Sequence, residues 1–519
     1  MNASAIAAHE RLVQGLLRSS ALPGGPRERI ETHISSLVLA GDLALKLRKP
    51  VVLPFLDFST VERRRTDCEE ELRLNRRTAP DLYLDVQAVG GAPDAPVLGA
   101  AGGEPIDWLL RMRRFDDAAL LDAMARRGAL DGAVVDALAR RVSAFHEALP
   151  PSPPSFGSAV VVRRWAIDNI DALESRHAAG PERLAALLHW TEAACTRLAP
   201  LIEQRRATGR VREGHGDLHL RNIVLWQGEP LPFDAIEFNA ELRHIDVVAD
   251  MAFTFMDLLR HGLPGLAWRF ASAWAEHGDD RAGLALLHFH AVYRALVRAK
   301  VAALRLDQGQ APVEAQAALA LDLALAEEIA FGRHAAGPTP RLVLTSGLSG
   351  SGKSWLAQRL VERLGAVRLR SDVERKRLHG YRAEERVRDA DAARVYGPAA
   401  SGRTFAQLAD TARRLLEAGL HVVVDAAFLR RAEREHFRAV AAAHGARFTL
   451  LDCRADLDVM RARIVRRAAE GHDPSDATPA VLDKQLGFVE AIDAGEAAFT
   501  IPTDQGDATI ESALLAAFA

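Results

Sequence analysis

The feature that most constrains the fold of this chain is a glycine-rich stretch, Gly347-Leu348-Ser349-Gly350-Ser351-Gly352-Lys353-Ser354. It follows an apolar run, 341–345, that predicts a strand, and it precedes a helix predicted over 355–364. In that context the glycines let backbone N–H groups curl around a β-phosphate, and the helix N-terminus favours the negative charge. The pattern predicts an ATP site in which Lys353 reaches the β- and γ-phosphates and the Ser354 hydroxyl binds Mg²⁺.

Three further apolar runs, 366–370, 421–425 and 447–453, predict strands that extend a doubly wound α/β sheet. In open α/β sheets, ligands bind beyond the carboxyl ends of the strands, and two acids stand at such ends. Asp425 is predicted to support the magnesium shell. Asp372 is predicted to receive a proton from a substrate hydroxyl, with a helix N-cap as the alternative role.

A basic segment follows the fourth predicted strand, Arg461-Ala462-Arg463-Ile464-Val465-Arg466-Arg467. Arginines at this position can act as a lid that clamps the transferring phosphates. Arg463 and Arg467 are therefore predicted to contact the nucleotide. The alternative is that the segment is a solvated helix face.

A second motif lies in the N-terminal half of the chain, His215-Gly216-Asp217-Leu218-His219-Leu220-Arg221-Asn222, and Phe233-Asp234 follows it. Phosphoryl transfer needs a carboxylate near the attacking hydroxyl, oxygen ligands for Mg²⁺ and a cation on the phosphates. Asp217 is predicted to be the catalytic carboxylate, and Asn222 and Asp234 are predicted to be the metal ligands. The apolar runs between them predict a hairpin that returns Asp234 close to Asn222.

The cation is predicted to be Lys46, which lies in an alternating apolar strand. A Lys in this role pairs with a helical Glu, and three adjacent acids lie on the helix predicted over 60–77: Glu69, Glu70 and Glu71. Spacing alone does not choose among them, and we favour Glu71.

Other titratable residues near the second motif are predicted to support its loop structurally. They are His215 and His219 within the motif, and Asp246 and Asp250, four apart on a predicted helix. Zinc is not indicated, because the sequence places no further metal-spaced ligands beside these histidines.

The chain of 519 residues exceeds what one hydrophobic core usually supports. Pro and Gly in Ala335-Ala336-Gly337-Pro338-Thr339-Pro340 end an Ala/Leu-rich helix and predict a linker over 335–340. We predict an α+β domain over 1–334, in which a small strand-rich lobe precedes a helical lobe. An α/β P-loop domain is predicted over 341–519.

Over roughly residues 30–300 the chain resembles the aminoglycoside-phosphotransferase and choline-kinase branch of the protein-kinase-like fold. The resemblance is carried by HGDLHLRN, the Phe233-Asp234 pair and Lys46. No GxGxxG precedes Lys46, where Ile34-Ser35-Ser36 stands instead, and that branch also lacks this glycine signature. The resemblance implies an ATP- and Mg²⁺-dependent phosphotransferase.

The C-terminal part resembles P-loop kinases of small hydroxyl substrates or polynucleotide ends, including gluconate-kinase, polynucleotide-kinase and zeta-toxin types. The matching segments are GLSGSGKS, Arg370–Leu378 and Val422–Arg434. Over its full length the chain is similar to bacterial fusions of an aminoglycoside-phosphotransferase-like domain with an AAA-type ATP-binding domain. This resemblance implies two nucleotide sites and does not supply the acceptors.

Composition narrows the class of partner. A formal net charge of −3, with acids and bases interspersed, argues against tight electrostatic binding of nucleic acid. Small-molecule hydroxyl acceptors are what the resemblance to small-substrate kinases implies. No apolar run reaches the roughly 18 residues of a membrane span, and the first residues do not read as a signal peptide. Three scattered cysteines, Cys68, Cys195 and Cys453, fit a reducing cytoplasm.

Three alternatives to a pair of working small-molecule kinases stay open. One domain could sense nucleotide and regulate the other, the P-loop domain could phosphorylate nucleic-acid ends, or it could be a plain ATPase. The sequence specifies neither acceptor and leaves the oligomeric state open.

Overall fold

The computed structural model describes residues 3–20, 22–32, 34–53, 56–99, 104–334, 339–470 and 474–518. The chain forms two compact units, Met1–Ala166 with Glu192–Asp257, and Ile167–Thr191 with Leu258–Ala519. Within the described ranges, no helix combines the length and apolar character needed to cross a membrane.

The first unit begins with a helix and an antiparallel sheet whose strand order is β1-β2-β3-β8-β6-β7. Leu45 and Leu47 on β3 pack with Leu12 and Leu16 of α1 in one apolar cluster. Because successive strand residues face opposite sides, Lys46 lies on the other face of the sheet. The elements are α1 (Ala3–Arg18), β1 (Arg27–Glu31), β2 (Ser35–Ala40), β3 (Leu43–Arg48), β4 (Val52–Leu53), β5 (Leu56–Asp57), α2 (Val61–Asn75), β6 (Tyr83–Ala92), β7 (Ala95–Leu98) and β8 (Asp107–Arg113).

Helices and short hairpins follow this sheet along the chain. The hairpin of β10 and β11 pairs Ile223 with Pro232, which brings the end of β11 back to the start of β10. The elements are α3 (Leu121–Arg126), α4 (Gly132–Ala148), α5 (Ala159–Glu174), α6 (Pro181–Ala207), β9 (Val211–Glu213), β10 (Ile223–Trp226), β11 (Glu229–Pro232), α7 (Ala240–Arg243), β12 (His244–Asp246) and α8 (Val247–Arg260).

The second unit contains a parallel sheet of strand order β14-β15-β13-β16-β17. Its strands are short apolar runs, as expected where helices cover both faces. The elements are α9 (Pro264–His277), α10 (Leu287–Asp307), α11 (Pro312–Ala330), β13 (Arg341–Ser346), α12 (Lys353–Leu364), β14 (Ala366–Arg370), α13 (Ser371–Leu378), α14 (Ala392–Tyr396), α15 (Pro398–Glu417), β15 (His421–Asp425), α16 (Arg431–Ala443), β16 (Arg447–Arg454), α17 (Leu457–Glu470), α18 (Pro479–Leu486), β17 (Phe499–Pro502) and α19 (Asp507–Phe518).

The predicted fold class is confirmed. A strand-rich lobe precedes helices, and a doubly wound parallel sheet carries the glycine-rich loop between β13 and α12. Two local predictions are corrected. Asp372 lies within the first turn of α13 and is not its N-cap, because the helix already begins at Ser371. Asp246 ends strand β12 and does not share a helix with Asp250.

The compact units divide the chain at a different place from the predicted linker. Helix α9 packs against the C-terminal sheet, where a Cβ on Gly365 would lie 2.7 Å from the Trp268 indole nitrogen. The backbone N–H of Arg368, on edge strand β14, donates to Ser272 Oγ at 3.0 Å. This contact satisfies an edge donor that the sheet itself leaves unpaired. The domain boundary at 335–340 stays a prediction, and residues 335–338 lie outside the described ranges.

A buried ion pair joins α16 to the segment before β17. Arg434 donates to both carboxylate oxygens of Glu496, at 2.6 and 2.8 Å, and each side chain is 1% exposed. Glu496→Ala should lower the free energy of unfolding by about 3 kcal/mol, because it removes the carboxylate that neutralises a buried guanidinium. Chemical denaturation measures the change. Glu417→Ala breaks the exposed Arg413 pair and should cost under about 0.5 kcal/mol, so equal losses would contradict the expectation.

Candidate functional site

The first site, defined as Lys46, Glu71, Asp217, Asn222 and Asp234, lies in the first unit. Lys46 Nζ donates to Glu71 Oε1 and to Asp234 Oδ1, both at 2.8 Å. Burial alone would lower the pKa of Lys46, but the two carboxylates outweigh it and hold that pKa above its ordinary value. The lysine is therefore a fixed positive charge between the helix acid and the predicted metal ligand.

The three candidate acids on α2 point in different directions. Glu71 is fully buried and contacts Lys46. Glu69 pairs with Arg65, and Glu70 pairs with Arg73 and Arg243. The structure thus brings Glu71, and neither neighbour, to the lysine.

The motif loop and the hairpin bring the remaining residues of the first site together. Asn222 Nδ2 donates to the Asp217 carbonyl at 3.0 Å and to Asp217 Oδ2 at 2.9 Å. The N–H of Phe233 donates to the Asn222 carbonyl at 2.9 Å, so the next residue, Asp234, returns to the loop as the hairpin predicts. Asp234 has a φ of 61°, a left-handed conformation that Asp tolerates better than most residues.

Asp250, on α8, holds the loop that begins at His215 through hydrogen bonds to its backbone. Its carboxylate accepts the N–H groups of His215 at 2.8 Å and Gly216 at 2.9 Å, and it lies 3.0 Å from His146 Nε2. Burial alone would raise the pKa of Asp250, but the hydrogen bond from His146 and nearby histidine charge hold it well below its ordinary value. Asp250 therefore supports the loop, as its position predicts, and does not face the reacting groups.

Asp250→Asn should lower the free energy of unfolding by about 3 kcal/mol at pH 7, because an amide accepts fewer hydrogen bonds and carries no charge. The depressed pKa means that the folded chain binds this proton less readily than the unfolded chain. The stabilisation is thus complete above the unfolded pKa, about 4, and decreases as the pH falls below it. Denaturation at pH 7 and pH 3 measures this, and a difference between the two proteins that is equal at both pH values would refute it.

Arg48 is a buried part of this neighbourhood that the sequence analysis missed. Its guanidinium donates to Glu71 Oε2 at 2.6 Å and to Ser35 Oγ at 2.9 Å, so Glu71 is shared with Lys46. It also contacts Glu237, whose pKa burial raises to about 7 despite the arginine. The sequence does carry a signal for Arg48, because side chains alternate along β3 and residues 46 and 48 therefore lie on the same face.

The second site is the loop Gly347–Ser354 with the cavity beside it. Gly350 and Gly352 both have a φ of 83°, in the left-handed region. A Cβ on Gly350 would lie 2.5 Å from the Met460 carbonyl oxygen, and one on Gly352 would lie 2.8 Å from Thr503 Oγ1. Side chains at these two positions would clash, so the tight loop requires glycine.

A cavity of about 1280 Å³ opens beside this loop. Its lining includes every charged residue that the sequence predicts for the second site: Lys353, Asp372, Asp425, Arg463 and Arg467. Lys353 Nζ donates to the Leu348 carbonyl at 2.7 Å, and burial lowers the pKa of this lysine. One cavity thus brings together the cation, the two strand-end acids and the lid arginines.

Oxygen donors in the cavity suit a hard cation. Ser354 lines it, and Asp425, at the end of β15, is 5% exposed. In the described part of the chain, Asp425 Oδ2 has no hydrogen-bond partner. A buried carboxylate oxygen without a hydrogen bond and a hydroxyl in the same cavity are the kind of donors that Mg²⁺ takes in nucleotide sites.

The two lid arginines have different surroundings. Arg463 donates to the Thr503 carbonyl at 2.8 Å and to the Gly350 carbonyl at 3.3 Å, so it is held against the loop. Arg467 Nη2 is buried and has no hydrogen-bond partner among the described residues. Arg467 is therefore the more available of the two to an anionic group.

Gln485 on α18 also reaches the loop, and no sequence pattern indicated it. Its side-chain oxygen accepts the backbone N–H of Ser349 at 2.8 Å. A residue of α18 thus lines the cavity and contacts the glycine-rich loop directly. No local motif marks such a glutamine, because the contact joins positions distant in sequence.

A protein-family model described as an AAA domain matches residues 342–492. Among curated proteins, the uncharacterized protein Rv2004c of Mycobacterium tuberculosis is 32% identical over 464 residues, which cover 87% of this chain and 88% of the relative. Protein Mb2027c of Mycobacterium bovis matches to the same extent.

Solved structures match parts of this chain. The amicoumacin kinase hAmiN in complex with AMP-PNP covers 63% of this chain and 96% of that protein, at 16% identity and a TM-score of 0.40. A kinase described as putative from Chloroflexus aurantiacus covers 34% of this chain and 94% of that protein, at 21% identity and a TM-score of 0.28.

Proposed function

We propose a function for this chain from its own two sites. The chain belongs to the family of the mycobacterial protein Rv2004c, which it matches over most of both lengths, and that relative is described only as uncharacterized. The chain is a tandem phosphotransferase that moves the γ-phosphate of ATP to hydroxyl groups of small molecules. It works in the cytoplasm and without nucleic acid. The cysteines Cys68, Cys195 and Cys453, all free and buried, fit that compartment.

At the first site, Lys46 binds the ATP phosphates and Glu71 holds the lysine in place. Asp217 accepts the proton of the acceptor hydroxyl, and Asn222 keeps the Asp217 carboxylate oriented through the hydrogen bond at 2.9 Å. Asn222 and Asp234 would hold Mg²⁺, which neutralises charge on the phosphates when it is bound with ATP.

At the second site, Lys353 and the N–H groups of the glycine-rich loop bind the phosphates. Ser354 and Asp425 would hold the metal, and Arg463 and Arg467 bind from the lid side. Asp372, in the first turn of α13, takes the acceptor proton.

One observation carries the proposal: Lys353, Ser354, Asp372 and Asp425 all line one cavity of about 1280 Å³. Ligand pockets usually enclose about 300–1000 Å³, so this cavity has room for a nucleotide and an acceptor together. Phosphate-binding groups and a base candidate in a shared space are what direct transfer requires.

The test is a screen of metabolites with γ-labelled ATP. The wild-type protein should label hydroxyl compounds, and Asp217→Asn and Lys353→Ala should each remove a different set of products. Loss of all products in one variant, with none lost in the other, would favour one catalytic domain and one regulatory domain. Release of inorganic phosphate with no labelled acceptor would contradict the proposal and favour a plain ATPase.

A further inference from the structure

A buried carboxylate near the end of α9 lies against the second site. Glu276 is 7% exposed, and its Oε1 lies 3.6 Å from Arg370 Nη1. Its other oxygen, Oε2, has no hydrogen-bond partner in the part of the chain that the structure describes. Burying an ionised carboxylate is costly unless positive charge compensates it. The Arg370 guanidinium supplies such a charge to Glu276.

Arg370 stands between this carboxylate and the predicted metal ligand. It ends β14 directly beside Asp425 in the strand register, and its Nε lies 3.8 Å from Asp425 Oδ2. It also lines the cavity and precedes the α13 turn that carries Asp372. The guanidinium is thus shared between Glu276 on one side and Asp425 on the other.

Several contacts fix α9 at this place. Arg377 Nη2 donates to the Glu276 carbonyl at 2.6 Å, and Ser272 accepts the Arg368 N–H at 3.0 Å. Arg269 pairs with Glu362 on α12 at 2.7 Å. The position of Glu276 relative to β14 is therefore set by the packing of the whole helix.

The charges around Asp425 compete. A guanidinium close to a carboxylate attracts it, and Mg²⁺ must outcompete that attraction to use the same oxygen. A carboxylate on the far side of the guanidinium offsets its charge and offers it a second partner. Without that carboxylate, the arginine would move closer to Asp425.

We infer that Glu276 is a positioning residue of the second site: it holds the Arg370 guanidinium away from Asp425 and keeps that carboxylate available to Mg²⁺. The inference rests on the proposed function of this site. It also means that the second site uses a residue from the segment that the sequence assigns to the N-terminal domain.

The test measures binding of AMP-PNP to the full chain by calorimetry at a series of free Mg²⁺ concentrations. All proteins carry Asp234→Asn, which removes the proposed metal ligand of the first site. The binding heat that disappears when Lys353→Ala is added to this background is assigned to the second site. Glu276→Gln should raise the free Mg²⁺ concentration at half-saturation about fivefold, because it removes the carboxylate that offsets the arginine charge and lets the arginine compete more strongly for Asp425. Glu362→Gln breaks another α9 contact away from the cavity and should leave this concentration unchanged.

Arg370→Met separates the inferred role from a direct effect of charge. Removing the competing cation should lower the Mg²⁺ concentration at half-saturation, and adding Glu276→Gln to Arg370→Met should then have no further effect. Arg368, Arg281 and His277 also carry charge near Glu276, so an unchanged fivefold effect in the Arg370→Met protein would overturn the inference. The inference would also be overturned if Arg370→Met left the Mg²⁺ concentration at half-saturation equal to or higher than that of its parent. This comparison does not depend on whether Glu276→Gln folds.

Failure of the proposed function gives a different result. If the Asp234→Asn protein shows no Mg²⁺-dependent heat that Lys353→Ala removes, the second site is not a metal–nucleotide site, and the inference falls with it. If that heat is present and Glu276→Gln leaves its Mg²⁺ dependence unchanged, the inference alone is overturned.

Discussion

Lys353→Ala is expected to lower phosphoryl transfer at the second site by roughly 10²–10³-fold and to weaken its binding of ATP. The ammonium lines the cavity as part of the glycine-rich loop and donates to the Leu348 carbonyl, so it is held where a phosphate would bind. Burial already lowers the pKa of this lysine, which means that its charge is poorly solvated before a phosphate arrives. An arriving phosphate would supply the missing counter-charge.

The measurement is ADP formation and acceptor labelling by the full chain carrying Asp217→Asn, so that the first site does not contribute. Arg363→Gln, at the other end of the same helix, is the matched control, because Arg363 pairs with Glu511 outside the cavity. The control should stay within about twofold of its parent. Retained transfer in the Lys353→Ala protein would mean that this loop is not the phosphate site.

The same variants also report whether the two sites depend on each other. If the sites are independent, the residual rates of Asp217→Asn and Lys353→Ala add up to the wild-type rate. If one domain senses nucleotide and regulates the other, the two residual rates do not add up to the wild-type rate. The variant of the catalytic domain then abolishes transfer, and the variant of the sensing domain changes the rate at which the same products form. The metabolite screen identifies which products belong to each site, so the two cases are distinguishable.

The parts of the fold that the sequence predicts are those set by neighbouring residues. The strand, loop and helix around Gly347–Ser354 are contiguous, and each of them has its own local signal in composition or periodicity. The hairpin that returns Asp234 to Asn222 is also local, because a turn and two short apolar runs specify it. In such cases local preference and tertiary structure agree.

The choice of Glu71 illustrates where sequence patterns stop. The buried face of α2 carries Arg64, Asp67 and Glu71 among its members, so polar residues occupy positions that are usually apolar. Hydrophobic periodicity therefore gives no signal about which acid turns inward. The buried partners, Lys46 and Arg48, decide it, and they lie on a different strand.

Glu276, Gln485 and the packing of α9 were not predictable for a related reason. Each acts on the second site through a partner distant in sequence, and none stands in a motif. The linker predicted at 335–340 separates segments by composition, whereas the compact units follow buried contacts. Composition marks where a chain is exposed, and it does not say which helix covers the edge of a sheet.

Asp217→Asn is expected to lower transfer at the first site by roughly 10²–10⁴-fold, while binding of ATP there is retained. In the wild-type protein, Asn222 Nδ2 donates to Asp217 Oδ2 at 2.9 Å. An Asn at position 217 keeps an oxygen that can accept this hydrogen bond, so the loop should keep its shape. What the variant loses is the negative charge that accepts the hydroxyl proton. Initial rates of acceptor labelling in a Lys353→Ala protein measure the loss, and AMP-PNP titration measures binding.

Two comparisons decide whether the first site catalyses transfer. Arg221→Gln changes an exposed side chain in the same loop and should leave the rate within about twofold. Asp234→Asn should weaken Mg²⁺-dependent binding itself, because Asp234 contacts Lys46 and is the charged ligand proposed for the metal. If Asp217→Asn leaves the rate unchanged while Asp234→Asn removes binding, the first site binds nucleotide without transferring phosphate. The Lys46–Glu71–Asp234 contacts would then serve nucleotide sensing, and transfer would belong to the second site.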